Sequence, residues 1–373
     1  MLAIGAQQVI GDDTQFFKKL KEQSDQHWAF GTFSYDLKNQ IEVLSSTGVD
    51  LLDFPAGEFF IPKHIFFFEE EGVRIESDTP YIIEEIIHTT YSSSKSTFSH
   101  PKAHTSQAEY IEIVNQLKDH IIAGDCYEIN FCQAFSGKVS TLDPVALFLQ
   151  LNQQSPNPFA CFQKLGEHYI LSASPERFLK KTNNLLISQP IKGTRPRGKS
   201  EAEEALLKHQ LRNDEKELAE NMMIVDLVRN DLARSAIPGS VQVEELFGIY
   251  TFPQVHQMIS TVTATLKAHV HSLDAIQNAF PMGSMTGAPK FKVMQLIDQY
   301  EPTKRGAFSG AAGYFHPNGD FDFNVLIRSL FLNSNNKNYT FQVGSAITYD
   351  AQAEKEYEEC LWKAKALFHL IGY

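Results

Sequence analysis

The chain has 373 residues, of which 43% are hydrophobic and 21% charged, and its formal net charge is −12. That composition belongs to a globular protein with a sizeable core, and the length suits one large domain or two closely joined units. The acidic balance repels polyanions, so no nucleic-acid partner is expected.

The start of the chain, Met1 to Ile10, lacks the basic flank and long apolar core of a signal peptide. No apolar stretch approaches the ~20 residues that span a bilayer. Cys126, Cys132, Cys161 and Cys360 are scattered, without zinc-type pairing or the density of a disulfide scaffold. These features predict a reduced, cytoplasmic protein with no membrane partner.

The stretch from Thr89 to Ser106 is rich in Ser, Thr and His and has no apolar periodicity. It reads as a linker or long surface loop between a first segment, 1–104, and a longer second one, 105–373. Ser106 followed by Glu109 forms a capping-box pattern, and Tyr110, Val114, Leu117 and Ile121 then mark one helical face that ends at Gly124-Asp125. Strand-like runs follow at 128–135, 169–172, 185–188, 258–265, 323–332 and 339–348, several of them alternating apolar with polar residues. Asp214 with Glu217 opens a helix towards Arg234, Pro289 occupies a first-turn position, and a last helix covers 353–370. Strands and helices without a βαβ rhythm favour an α+β fold.

Several residues have two readings from pattern alone. Glu220 shares a helix face with Met223, Ile224 and Leu227, so it either reaches water at the edge of the stripe or is buried with a cation, a donor or a proton. Glu359 and Lys363 are four apart, which suits a surface ion pair. Two carboxylates from separate helices, with substrate oxygens and water, equally suit Mg2+. Glu176 lies at a strand end, where carboxylates are usually solvated, and a lone histidine such as His256 is more often structural than catalytic. Residues 283–290 enter a helix at Pro289, a place where anions meet free backbone N–H groups, but they lack the spacing of a Walker A loop. Gly193 to Gly198 is basic and turn-forming, and Lys192 just before it reads as solvent-facing.

Six stretches in order then carry a resemblance: Gly124-Asp-Cys-Tyr-Glu-Ile-Asn130, Ser172-Ala-Ser-Pro-Glu-Arg-Phe178, Pro190-Ile-Lys-Gly-Thr194, Asp226-Leu-Val-Arg-Asn-Asp-Leu-Ala-Arg234, Gly283-Ser-Met-Thr-Gly-Ala-Pro-Lys290 and Glu356-Tyr-Glu-Glu-Cys-Leu-Trp-Lys363. Together they resemble the chorismate-utilising enzyme family, and Gly31 to Asp36 resembles its amino-terminal part. The resemblance implies two large, mostly antiparallel sheets packed as a sandwich with helices outside. It also implies Mg2+ held by Glu220 and Glu359, Glu176 as general acid, and Lys192 as a nucleophile. His256 would assist the departing hydroxyl. Thr286 and Gly287 would line the ring site, while Tyr314, Arg328, Gly344 and Lys363 would hold the substrate carboxylates.

Two positions separate the family's reactions. Lysine before Gly-Thr, here Lys192, is similar to the members that form 4-amino-4-deoxychorismate, whereas anthranilate-forming members carry alanine. Isochorismate-type members use a lysine where this chain has Glu128, which argues against hydration. Most amino-transferring members carry glutamine there, so Glu128 departs from their pattern and the resemblance gives it no role. A nucleophilic Lys192 implies a lowered pKa, from desolvation or from Arg195 or Arg197 nearby. The chain lacks a Gly-x-Cys-x-Gly nucleophile turn, so ammonia is expected from a separate glutamine amidotransferase subunit. The alternatives are an anthranilate-forming enzyme and, more remotely, a non-catalytic chorismate-binding subunit.

Overall fold

A computed structural model describes residues 1–79 and 81–373. Among them are nineteen strands in two antiparallel sheets. The larger sheet holds β1 (Leu2–Ile10), β2 (Ala29–Phe33), β3 (Gly57–Glu69), β4 (Gly72–Ser77), β10 (Arg177–Thr182), β11 (Leu185–Gln189), β12 (Ile191–Pro196), β13 (Gln242–Thr251), β14 (Val255–Thr265), β16 (Ala311–Phe315) and β17 (Phe321–Asn324). The smaller holds β5 (Thr97–Phe98), β6 (Lys102–Ala103), β7 (Glu128–Thr141), β8 (Phe159–Leu165), β9 (His168–Ser174), β15 (Gly287–Ala288), β18 (Ser329–Asn333) and β19 (Asn338–Ile347).

Ten helices accompany them: α1 (Phe16–Ser24), α2 (Lys38–Ile41), α3 (Ile82–His88), α4 (Gln107–Ile122), α5 (Pro144–Gln154), α6 (Glu201–Arg212), α7 (Glu215–Ser235), α8 (Ser272–Ala279), α9 (Lys290–Tyr300) and α10 (Ala353–Leu370). No helix among the described residues is long and apolar enough to cross a membrane.

Local chemistry sets the boundaries. The Ser106 hydroxyl accepts from the Glu109 N–H while the Glu109 carboxylate accepts from the Ser106 N–H, closing the capping box that starts α4. Asp214 accepts from the N–H groups of Lys216 and Glu217 and starts α7, but the Glu217 side chain turns to Arg195 instead of completing a box. Pro289 is the N-cap of α9, one position before the expected first turn.

Three expectations change. The run 323–332 is two strands in different sheets, β17 and β18, because residues 325–328 cross from one sheet to the other. The basic turn after Lys192 is largely β12, paired with β14. The stretch 89–106 contains β5 and β6 paired with β7, and is pinned further by Tyr91 Oη and the Ser94 N–H, which donate to Asp143.

The first segment does not stand apart. β2 pairs with β16, Phe33 opposite Ala311, so residues from both ends of the chain form one continuous sheet. An apolar cluster containing Phe16, Phe33, Phe59 and Phe323 joins this sheet to Ile170 and Phe331 of the smaller one, and continues beneath α7 and α8. A second cluster fills the space between the smaller sheet and α4, α5, α9 and α10. Between the clusters lies a buried ion pair: Arg305 donates to both carboxylate oxygens of Glu301 (2.6 and 2.8 Å), to the carbonyls of Met285 (2.6 Å) and Asn130 (2.8 Å), and to Ser309 (3.2 Å). Glu301 also accepts from the Cys132 N–H, and the guanidinium lies 4.6 Å from the centre of the Tyr35 ring.

Candidate active site

A cavity of about 400 Å³ opens where β12, the β9–β10 turn, α7, β19 and α10 meet, a size that suits a small organic acid. Lys192 enters it from β12. Ile191 pairs with Ile259 but Thr194 pairs with Gln257, so one extra residue sits on β12 at Lys192-Gly193. Such a bulge re-aims a side chain, and Gly193 supplies its positive φ of 93° beside Leu211 and Glu217.

The surroundings of Lys192 are acidic. Its Nζ donates to Glu128 Oε1 at 2.7 Å, its one hydrogen bond among the described residues. Burial alone would lower the lysine's pKa, but Glu128, Glu220 and Glu176 outweigh it and the net direction is upward. The expected depression is therefore absent. Its proposed cationic sources are also engaged elsewhere: Arg195 pairs with Asp214 and Glu217, and Arg197 with Glu204.

Glu176 follows Pro175 between β9 and β10 and is 4% exposed, not solvated as a turn carboxylate usually is. Burial raises its pKa to about 7, against the opposing pull of Ser284 and Lys192. Glu220 is also buried, and burial raises it to about 7, with Lys192 opposing. Glu220 Oε1 has no hydrogen-bond partner among the described residues, since Lys216 Nζ stands 3.7 Å away and bridges instead to Glu356 at 3.1 Å. Glu359 lines the same cavity and meets Lys363 at 2.6 Å. The helical ion pair is thus real, but it lies on a cavity wall. Burial would raise Glu359, yet Lys363, Lys216 and Lys192 bring it down overall.

These oxygens suit a hard divalent cation, and the partnerless buried oxygen of Glu220 is the donor such an ion would take. Among the described residues no three His, Cys, Asp or Glu side chains converge at metal-binding spacing. A bound Mg2+ would therefore need substrate oxygens and water to complete its shell.

On the far wall, Arg328, Gly344 and Lys363 all line the cavity. Lys363 donates to the Gly344 carbonyl (2.9 Å), and Arg328 to the Lys363 carbonyl (2.7 Å). A Cβ on Gly344 would crowd Cys132 and Asn130, so the strand presents bare backbone here.

Four expected residues lie elsewhere. His256 is fully buried on the other face of β14, with Nε2 2.5 Å from Glu204 of α6 and Nδ1 3.0 Å from Thr251. Its neighbour Gln257 lines the cavity instead. Tyr314 faces an aromatic group of Trp28 and Phe30, and the apolar wall is supplied by Phe308. Thr286 turns its hydroxyl back to the carbonyls of Met282 and Gly283, and the loop shows the cavity Ser284 and Met285. Gly287 (φ 145°) lies behind the wall, where a Cβ would overlap the Glu128 carbonyl oxygen. Strand parity decides the case of His256, because neighbouring residues face opposite ways. Phe308 was missed because an aromatic in a loop has no periodicity to mark it.

Comparison with known proteins gives the family. A family model described as chorismate binding enzyme matches residues 7–369. The chain is 37% identical over 349 residues to aminodeoxychorismate synthase component 1 of Klebsiella aerogenes, spanning 92% of this chain and 77% of that protein. It is 41% identical over 266 residues to the protein of the same description from Escherichia coli K12, spanning 71% and 58%. Its fold superposes on anthranilate synthase component I from Streptococcus pneumoniae TIGR4 with a TM-score of 0.86 at 27% identity, covering 98% of this chain and 90% of that one. Since the matched span runs through every element lining the cavity, the chain belongs to the chorismate-binding enzyme family.

Proposed function

We propose that the chain converts chorismate and ammonia to 4-amino-4-deoxychorismate, ahead of a lyase that releases 4-aminobenzoate for the folate route. The observation that carries this reading is Lys192, aimed by a bulge into a cavity it shares with a carboxylic acid of pKa about 7. Relatives described as aminodeoxychorismate synthase component 1 support it.

Glu176, protonated in part at neutral pH, gives its proton to the C4 hydroxyl as that group leaves. Lys192 attacks C2, both ring double bonds shift by one place, and a covalent adduct forms. Ammonia then attacks C4 and expels the lysine, so that two easier displacements replace one. Arg328, Lys363 and the backbone at Gly344 hold the substrate carboxylates, and Phe308 packs on the ring. Glu220 and Glu359 would hold Mg2+, which supplies charge neutralisation at the ring carboxylate and the leaving oxygen. Ammonia comes from a separate glutamine amidotransferase subunit, in the cytoplasm.

The test is a product assay with purified protein, chorismate, ammonium and Mg2+. Formation of 4-aminobenzoate only when the lyase is added is the expected result. Fluorescent anthranilate without a lyase would overturn the assignment.

A further inference from the structure

We propose that Glu128 is the proton acceptor that converts the Lys192 ammonium into a nucleophilic amine, activating the lysine from behind the cavity wall. The inference rests on the covalent route proposed above. Glu128 is 1% exposed and does not line the cavity, whereas Lys192 does, so the pair spans the wall. Their 2.7 Å contact is a ready path for one proton.

The carboxylate is built in place. Glu128 is the first residue of β7 and pairs with Ala288 of β15. Gly287 lets that strand press against the Glu128 backbone, where no larger residue fits. Glu128 Oε2 is buried and has no hydrogen-bond partner among the described residues, where Lys192 is the only side chain that the carboxylate serves.

Other acids face the lysine: Glu176 from the β9–β10 turn, Glu220 from α7 and Glu359 from α10. None hydrogen-bonds to Nζ, so they set the field around the proton without receiving it. At rest this field keeps the proton on nitrogen, and a base within contact is therefore required for attack.

In the step, one proton passes from Nζ to Glu128 Oε1. The freed lone pair forms the N–C2 bond, the C1–C2 π pair moves to C1–C6, the C5–C6 pair moves to C4–C5, and the C4–O bond breaks with the oxygen leaving as water on the Glu176 proton. When ammonia attacks C4, the C2–N pair returns to nitrogen. The neutral amine then recovers its proton from Glu128.

The experiment follows the Lys192 adduct by intact mass over time, with chorismate and without ammonium, from neutral to alkaline pH. Wild type, Glu128→Gln, Glu128→Asp and Lys192→Ala are compared, with chorismate affinity measured for each. Glu128→Gln should bind chorismate within about 3-fold of wild type yet form adduct about 100-fold more slowly at neutral pH, and its deficit relative to wild type at the same pH should narrow as pH rises. Glu128→Asp should fall between, and it carries the same test should the glutamine variant not fold. A mere counter-ion role makes the opposite prediction: removing the charge would ease deprotonation, so equal or faster adduct formation in Glu128→Gln overturns the proposal. If wild type turns over without any adduct on Lys192, the covalent route fails and takes this inference with it. A slow Glu128→Gln beside a normal wild-type adduct leaves the route intact and supports the base.

Discussion

Two buried cation–carboxylate pairs, Arg305–Glu301 and Lys192–Glu128, lie in the same molecule and differ in how completely they are satisfied. Arg305 has five hydrogen-bond contacts, to Glu301, two carbonyls and Ser309, and Glu301 receives a further N–H from Cys132. Among the described residues Lys192 has one hydrogen bond, and Glu128 keeps an oxygen with no partner. A fully bonded pair costs much to disturb and fixes the strands around it. A half-bonded pair beside a cavity leaves donors and a lone pair free for chemistry.

The contrast can be broken most severely at the acid that works beside the half-bonded pair. Glu176→Gln should lower kcat by about 10²–10⁴-fold. In wild type, where the acid must carry its proton, turnover should fall about tenfold per pH unit above about 7, and this limb should vanish in the variant. The sign for stability is the same. A carboxyl raised to about 7 holds its proton more tightly when folded, so its contribution is full below the ordinary carboxyl range and is lost as pH rises through about 7. Urea unfolding across that range reads the loss.

Arg305→Met should cost roughly 3–5 kcal/mol of folding stability by leaving Glu301 uncompensated, measured by urea denaturation. Lys192→Ala should cost clearly less, because Glu128 is left next to an open cavity; equal losses would erase the distinction between the pairs. Glu220→Gln should raise the Mg2+ concentration needed for half-maximal turnover about tenfold, and unchanged Mg2+ dependence would remove that residue from the metal site. The smallest effect is expected at His256, which faces Glu204 across β14: His256→Asn should change kcat by less than about 3-fold. A loss near that of Glu176→Gln would mean that the far face of β14 takes part in the reaction.

Much of this was legible in the sequence. The Ser106 capping box, the helix after Asp214 and the alternation in β7, β14 and β19 follow from local propensity and period, and the folded chain keeps them. The resemblance also named Lys192, Glu176, Glu220 and Glu359, which line one cavity. What pattern alone did not give was orientation. Gly193, Arg195 and Pro196 resemble a turn, and only pairing with β14 makes them a strand. His256 and Gln257 differ by one step along a strand, as do Thr286 and Met285 along a loop, yet that step separates cavity wall from interior. The charge state at Lys192 was equally invisible, since three of the carboxylates that set it, Glu128, Glu176 and Glu220, come from three distant parts of the chain.

The pairing of Phe33 with Ala311 has a consequence for biosynthesis. β2 and β3 emerge early, but their neighbour β16 is made only after most of the chain has been synthesised. Until then a hydrophobic sheet edge waits without its partner, and contacts so far apart in sequence close slowly. The nascent chain is therefore exposed to self-association for most of its synthesis, and chaperone capacity should govern its yield more than the stability of the finished fold.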